Sequence, residues 1–577
     1  MSPYNAQEAM RIAQGHGVPE IVGRLLAARD VKFDQVERFL WPRLRDHFPD
    51  PFKLKDMEAL ADYLAQSVID GRKIGVFADF DVDGATSSAV LKRFFRALGQ
   101  DVPVYIPERL TEGYGPSAAA FAKLKEQGAE IILTVDCGIT SFGPAEAAQE
   151  MGIELVILDH HEPEETLPPA KFVIDPKRKD DYSDYDELAA VGVAFLTCVA
   201  VNAKLRDKGF YQTRVEPSLK SFLDLVALGT ICDMVPQRGP NRVLVRYGLE
   251  QMNTRANVGL RALCEVSGVK NQPTPYHIGF GLGPRINAGS RVHQSDLGSK
   301  LLSTEDYEEA KNIAWTLNDC NEKRKNIQKE MTAEALDKVK TLGMENDDVI
   351  IVDGEGWHPG LSGLVAGKLK ERFQRPACVV TYAKNENEEL EGRGSGRSIP
   401  GVNIAASFID ARIEGLLVKG GGHAMAGGFT IEPDKLDGFR AFVQDHVKKQ
   451  LAGAPILPEL QIDALATVSG AGLDFVKLVQ EQMSPFGAGN PEPVFALPQV
   501  RIGKADIMAE RHIRCFISDM EGGSGMKAVA FGAVKSPLGD ALLNAGDTPI
   551  HLAGSFQINE WQGRVSVEFH IQDAVKA

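Results

Sequence analysis

The sequence predicts an α/β protein of two α/β lobes, joined by a long helix and completed by a small C-terminal β-barrel. Three observations predict it. Between residues 73 and 175, short aliphatic runs alternate with helix-like stretches. Residues 303–342 contain neither glycine nor proline and are dense in charge. After residue 460, short alternating strands follow one another with turn residues between them.

The elements follow in order. Residues 1–70 read as an extension of short helices, broken by GHGVPE, FLWPRL and HFPDPF. From Lys73 the apolar runs begin: KIGVFADFD, AEIILTVDCG, IELVILDHH and KFVID. Each run is four to seven residues long, and SSAVLKRFFRALG and GPAEAAQEMG lie between them. Continuous apolar strands alternating with helices predict a buried parallel sheet. Helices are expected to continue through 187–206 and 218–231. Residues 303–342 predict one long solvated helix, or two in series. A second α/β unit opens with DDVIIVDGEGW and is rich in glycine, as in GRGSGRSIPG and KGGGHAMAGG. The segments VRIGKADIM, HIRCFISD, MKAVAFG, PIHLAGSFQIN and RVSVEFHIQD then predict the barrel. The expected divisions are 1–70, 71–300, 301–345, 346–453 and 454–577.

Bulk properties narrow the function. The chain has 577 residues and a net charge of -15. Such a charge argues against a protein that coats nucleic acid by bulk positive charge, but leaves room for an enzyme with a local basic groove. No run approaches the ~20 apolar residues that span a bilayer. The first residues lack a basic segment followed by an apolar one, so no secretory signal is expected. The seven cysteines are scattered singly, without a CxxC pair. A reducing cytoplasm is the expected compartment.

Acids mark the ends of the predicted strands. Asp79, Asp81 and Asp83 are spaced by two and would share a face if the strand ran through them. The strand is expected to end near Asp79, leaving a loop to deliver Asp81 and Asp83. Asp136 closes the next strand, and Asp159, His160 and His161 the third. Asp233 follows the apolar helix SFLDLVALGTIC. In open parallel sheets, sites form beyond the carboxyl ends of the strands, so these groups should converge. Clustered carboxylates repel unless a divalent cation lies among them. Carboxylates with imidazole suit Mn²⁺ or Mg²⁺, and two such ions can drive in-line attack on a phosphodiester.

The segments ADFDVDGATSSA, TVDCG, LDHH and GTICDMVP resemble the four motifs of the DHH phosphoesterase superfamily. EGYGPS, GLGPRINAGSRV, WHPGLSGLVAGKL, GSGRSIPG, GGGHAMAGG and SPFGAGNPEPVF extend the resemblance, in order, to its single-stranded-DNA-specific exonucleases. The resemblance implies a DHH lobe, a DHH-associated lobe and an oligonucleotide-binding (OB-fold) barrel. It places Asp79, Asp81, Asp83, Asp136, His160 and Asp233 at metal positions, with Asp136 bridging. His161 would contact the scissile phosphate or support the site, Asp159 would orient its neighbours, and His423 would face the metals from the second lobe. Phe77 stands where the pyrophosphatase arm of the superfamily has a histidine, which favours the nuclease arm.

Polyanion binding also needs donors. Arg109 lies beyond the strand-like segment VPVYIP. Arg285 and Asn287 are expected in a Gly-rich loop, Ser395 and Arg397 in another, and Gly421, Gly422 and His423 in a Gly-rich turn. Glycines let backbone N–H groups approach phosphate, and arginine adds bidentate hydrogen bonds. The resemblance makes Arg109, Ser395 and Arg397 candidates for a terminal 5′ phosphate. Phe516, Phe531 and Trp561 are barrel aromatics, for which core packing is the main expectation and base stacking the alternative. The implied activity is 5′-to-3′ hydrolysis of single-stranded DNA to mononucleotides, in repair and recombination. A single-strand binding protein and a helicase are the implied collaborators, no membrane is involved, and a monomer is expected. The alternatives are a phosphodiesterase of oligoribonucleotides or cyclic dinucleotides, and a non-catalytic strand-binding replication factor.

Overall fold

The computed structural model describes residues 4–384, 388–452, 459–522, 525–561 and 563–577, without the side chain of Trp561. The expected boundary at 453/454 falls outside the described residues.

The first lobe is built on five parallel strands: β1 Ile74–Ala78, β2 Val104–Tyr105, β3 Ile131–Val135, β4 Glu154–Leu158 and β5 Phe172–Ile174. Their order is β2-β1-β3-β4-β5, and every pairing is parallel. Alternate residues face opposite layers. Ile131, Leu133 and Val135 enter a large core with the helices Val82–Ala97, Ala190–Asp207 and Leu223–Cys232. Ile132, Ile157 and Phe77 enter a smaller core on the other face. Burial on both faces explains why the strands read as continuous apolar runs. The chain leaves β1 for β2, then crosses back to β3. That reversal between β1 and β3 is the switch point at which open α/β sheets carry their sites.

The helix Tyr307–Thr341 runs unbroken for 35 residues, about 52 Å at 1.5 Å per residue. Asp306 caps its start by accepting from the backbone N–H groups of Glu308 and Glu309. Ala310, Ala314 and Leu317 pack into the first lobe, and Met331, Ala335 and Val339 into the second. It is one helix, buried at both ends in different cores.

The second lobe carries a mixed sheet of β6 Ile350–Gly354, β7 Ala377–Lys384, β8 Leu390–Arg397, β9 Lys419–His423 and β10 Ala426–Ile431. Its order is β6-β7-β8-β10-β9. Here the Gly-rich segments depart from expectation. Ser395, Arg397 and Gly422 lie on strands rather than in loops. The turn itself is only Ala424–Met425. The glycines serve packing: a Cβ on Gly394 would overlap the Phe429 ring, and one on Gly396 the Phe408 ring.

The barrel comprises β11 Ala464–Leu465, β12 Phe495–Met508, β13 His512–Asp519, β14 Met526–Ala530, β15 Ile550–Trp561 and β16 Arg564–Lys576. Pairing of β12 with β15 closes it. Its core is completed by the chain's beginning. Ile12, Val22, Leu25, Leu26 and Phe39 share one cluster with Phe495, Leu497, Phe556 and Phe569. The helix Met57–Ile69 packs instead into the first lobe. Packing therefore divides residues 1–70 between two cores, because the break at Trp41–Pro42 lets the chain change partners. Arg242, on the helix Gly239–Asn253, is fully buried at the junction. Its guanidinium donates to the carbonyls of Phe39, Gln482, Met483 and Ser484.

Candidate metal centre

β1 ends at Ala78, so Asp79 begins the turn into the helix Val82–Ala97. Asp81 is the N-cap of that helix, accepting from the N–H groups of Asp83 and Gly84 at 2.8 and 3.3 Å. Asp83 lies in its first turn, not in a loop. The three acids share no strand face, because capping starts the helix at once. A Cβ on Gly84 would overlap the backbone of Asp79, so glycine is what lets the helix pass this close. Asp83 accepts from the N–H groups of Ala190 and Val191 at 2.7 and 2.9 Å. These donors open the helix Ala190–Asp207, whose positive end favours a carboxylate.

Asp136 follows β3 in the left-handed region, with φ 62°. Asp233 is the C-cap of the helix Leu223–Cys232. His160 joins them. Its Nε2 lies 3.3 Å from Asp136, 3.6 Å from Asp233 and 3.9 Å from Asp83. Its Nδ1 faces the Leu188 carbonyl at 3.1 Å. A carbonyl only accepts, so Nδ1 carries the proton and Nε2 presents a lone pair to the acids. Burial, then the charge of His161, holds His160 down to about 3, and it is neutral. Three overlapping groups could each hold a cation: Asp79–Asp81–Asp136, Asp83–His160–Asp233 and Asp136–His160–His161. Asp136 belongs to two of them.

The electrostatics suit a divalent ion. Burial raises the carboxyls of Asp79, Asp83 and Asp136, and their acidic neighbours raise them further. Asp233 is pushed up to about 7 by burial and then by Asp81. Asp79 Oδ1 and His160 Nε2 are buried without a hydrogen-bond partner among the described residues. Hard oxygens with one neutral imidazole match Mn²⁺ or Mg²⁺, so the residues fit such ions. Asp159 differs from the rest. Its carboxylate accepts from the N–H groups of Ile139, His160 and His161 and from His161 Nδ1 at 2.7 Å. Burial opposes the charge of His161, but the bond to Asp159 raises that ring to about 9.

Cations face this cluster from both lobes. Arg109 lies over the Phe80 ring at 4.5 Å, in the field of Asp79 and Asp81. Arg397 stands at the end of β8 in the field of Arg109. Ser395 accepts a hydrogen bond from Ser362 at 3.1 Å. His423 is held below its ordinary value by burial, then by Arg397 and His161. Gly422 precedes it with φ 138°. Arg291 was not singled out by sequence reasoning, yet it bridges the lobes, donating to the Gly360 carbonyl at 2.8 Å. Burial pulls Arg291 down to about 9, and Arg109, Arg324 and Arg397 add repulsion. A buried arginine repelled by three others suits an anion. Tyr114 was also missed. Its hydroxyl donates to the Asp136 carbonyl at 3.3 Å, and its ring meets the edges of Phe80 and His161. Both residues lie inside motifs already noted, GLGPRINAGSRV and EGYGPS, which was the available signal.

Arg285 and Asn287 are not in a loop. Both lie on the helix Gly283–Val292, because a proline at its start and a mostly apolar buried face favour helix there. Arg285 donates to Asn318 and to the Gly281 carbonyl. Asn287 Oδ1 is buried without a partner among the described residues. On the barrel, Phe516 and Phe531 are exposed, and Phe531 packs between His512 and His570.

A parallel-sheet lobe and a mixed-sheet lobe facing each other over an acid–histidine cluster define the two-lobed DHH class. Residues 73–230 match the DHH family N-terminal domain, 346–449 the DHHA1 domain and 462–573 the RecJ OB domain. The single-stranded-DNA-specific exonuclease RecJ of Dickeya dadantii is 34% identical, over 96% of both chains. RecJ of Thermus thermophilus in complex with Mn²⁺ superposes with a TM-score of 0.81 at 27% identity, covering 100% of this chain and 79% of that one. Its Mg²⁺ complex gives 0.75 at 26% identity, covering 100% and 78%. The chain belongs to the RecJ family. Among the described residues, no helix is long and apolar enough to cross a membrane.

Proposed function

We propose that this protein is a metal-dependent exonuclease that hydrolyses the phosphodiester bonds of single-stranded DNA. The observation that carries the reading is the convergence of buried Asp79, Asp83, Asp136 and His160 with half-buried Asp233, Asp79 Oδ1 and His160 Nε2 being unpartnered among the described residues, opposite an arginine cluster. Asp79, Asp81, Asp83, Asp136, His160 and Asp233 would hold two divalent ions, Mn²⁺ or Mg²⁺. When bound, such ions offset phosphate charge and acidify an attacking water. The protein's own groups do the remaining work. His161, held through Nδ1 by Asp159, would contact the scissile phosphate. Arg109, Arg291 and Arg397, with Ser395 and the backbone at Gly422, suit a terminal 5′ phosphate, and His423 approaches from the second lobe. Arg285 and Asn287 contribute on the helix that carries Arg291.

Digestion from the 5′ end to mononucleotides, within repair and recombination, is supported by family membership and by the suitability of the arginine group for a phosphate monoester. The proposal includes a monomeric state, a cytoplasmic location and cooperation with a single-strand binding protein and a helicase, all by likeness to the family. The test uses strands labelled at either end, single and double, with each metal. Wild-type protein should degrade single strands from the 5′ end, and Asp136→Ala should lose this activity while keeping its fold. Undiminished cleavage by Asp136→Ala would sink the assignment. Turnover confined to dinucleotides would move it to a small-substrate phosphodiesterase.

A further inference from the structure

The loop that carries Arg109 closes largely on itself. The Glu108 carbonyl accepts from the N–H groups of Thr111, Glu112 and Gly113 at 3.2, 2.8 and 3.4 Å. The Glu108 N–H donates to the Glu112 carboxylate at 3.1 Å, and the Tyr105 hydroxyl donates to the same carboxylate at 2.6 Å. The Glu108 carboxylate instead leaves the loop. It reaches Ser295, 187 positions further along the chain, accepting from the Ser295 N–H at 3.3 Å and from its hydroxyl at 3.2 Å. Ser295 Oγ in turn accepts from the Arg109 N–H at 3.2 Å. One buried serine, 4% exposed, thus makes three hydrogen bonds to two consecutive residues.

Ser295 lies four residues beyond Arg291, just past the helix Gly283–Val292. The chain between them is drawn back onto that helix. The His293 N–H donates to the Gly289 carbonyl at 2.8 Å, and a Cβ on Gly289 would overlap the Gln294 carbonyl. The three bonds therefore join the backbone of Arg109 to the backbone just after Arg291. These two arginines repel each other. Burial depresses Arg291, and Arg109 is the largest of the charges that add to the effect. The Arg109 guanidinium rests on the Phe80 ring at 4.5 Å, a stacking contact without the directionality of a hydrogen bond. Bidentate recognition of phosphate depends on the direction of the guanidinium fork. A group fixed before its ligand arrives also binds more tightly than one that must first be ordered.

We propose that Glu108 and Ser295 are positioning residues for the phosphate-binding arginines, their hydrogen bonds holding Arg109 in register with Arg291 before a strand arrives. The inference rests on the reading of the arginine group given above. It goes beyond that reading by assigning two residues that act on the terminal phosphate only through Arg109.

The test measures cleavage, with Mn²⁺, of labelled single strands that carry either a 5′ phosphate or a 5′ hydroxyl. Wild type should take the phosphorylated strand with the lower KM. Ser295→Ala and Glu108→Gln should each raise KM for that strand about threefold to tenfold, the scale of one or two hydrogen bonds. Their kcat should hold, and their KM for the hydroxyl strand should not move. Ser295→Thr, which keeps the hydroxyl, should retain the wild-type preference. In Arg109→Ala the preference should vanish, and adding Ser295→Ala should cost nothing more, since the group to be positioned is gone. Glu108 is only half-buried, so Glu108→Gln carries the comparison if Ser295→Ala fails to fold. A wild-type preference in the folded variants, or a KM that rises equally for both strands, overturns the positioning role alone. Wild type that cleaves both strands with equal KM overturns the phosphate reading of the arginines, and the positioning role with it. Wild type that cleaves neither overturns the nuclease reading.

Discussion

Asp136 follows a buried strand with φ 62°, a conformation costly to any residue but glycine and tolerated best by Asp and Asn. Its carboxyl is raised by burial and by Asp81, Asp83 and Asp79, so without metal the cluster works against the fold. Asp136→Asn should therefore stabilise the metal-free protein by about 1–3 kcal/mol. The same change should abolish the rise in melting temperature that Mn²⁺ gives wild type. Thermal unfolding with and without chelator reads both effects, and a variant that melts lower in chelator contradicts the argument. Gly84→Ala tests the neighbouring constraint. The added methyl must displace the Asp79 backbone, costing about 1–3 kcal/mol and weakening Mn²⁺ binding measured by calorimetry. The acids were legible in the sequence because each stands where an apolar run stops. Arg291 was not, since its significance is repulsion from Arg109, Arg324 and Arg397, which lie far apart in the chain.

Among the elements, β4 is tied to the helix Met57–Ile69 through Glu154. Tyr63 donates to it at 2.8 Å, and Arg72 and Lys171 bond to the same carboxylate. Burial alone would raise this carboxyl, but the hydrogen bonds from Lys171, Arg72 and Tyr63 outweigh it and lower it from 4.5 to about 2. A carboxyl lowered by folding stabilises above its unfolded value and loses that contribution as pH falls through the folded one. Glu154→Gln should then cost about 1 kcal/mol near neutrality, since the half-buried group is still partly screened by solvent. The difference in melting temperature should narrow below about pH 4.5 and close near 2, and a constant gap would argue against the linkage. At this scale the parallel strands and the long helix were legible, because periodicity and the lack of Gly and Pro are local signals. The strands β8 and β9 were not. Their glycines look like loop residues until Phe408 and Phe429 are seen to fill the space above them.

At the scale of the molecule, Arg242 holds the first lobe to the barrel through carbonyls rather than carboxylates. Burial, then the charges of Arg246 and Arg29, draws it down to about 9, and four carbonyls compensate. Hydrogen bonds to a charged group are each worth about 1.5–3 kcal/mol, so Arg242→Ala should uncouple the barrel from the lobe. Calorimetry should then resolve a separate, earlier transition for the barrel, with protease nicking near Ser484. A single transition at the wild-type temperature would show that the apolar contacts suffice. This arrangement was out of reach of the sequence, which offers no local signal that residues 12–40 pack against residues 476–569.

That packing has a consequence for biogenesis. Ile12 to Leu40 find their partners in the barrel, and roughly 450 residues of chain separate the two. At the ordinary pace of translation the wait is on the order of half a minute or more. During it, a chain whose first lobe has already collapsed still presents Ile12 to Leu40 uncovered. A nascent chain of this design leaves that segment unshielded by its own fold until the barrel has emerged. A message truncated within the barrel yields a product in which that segment stays exposed, rather than one that is merely shorter.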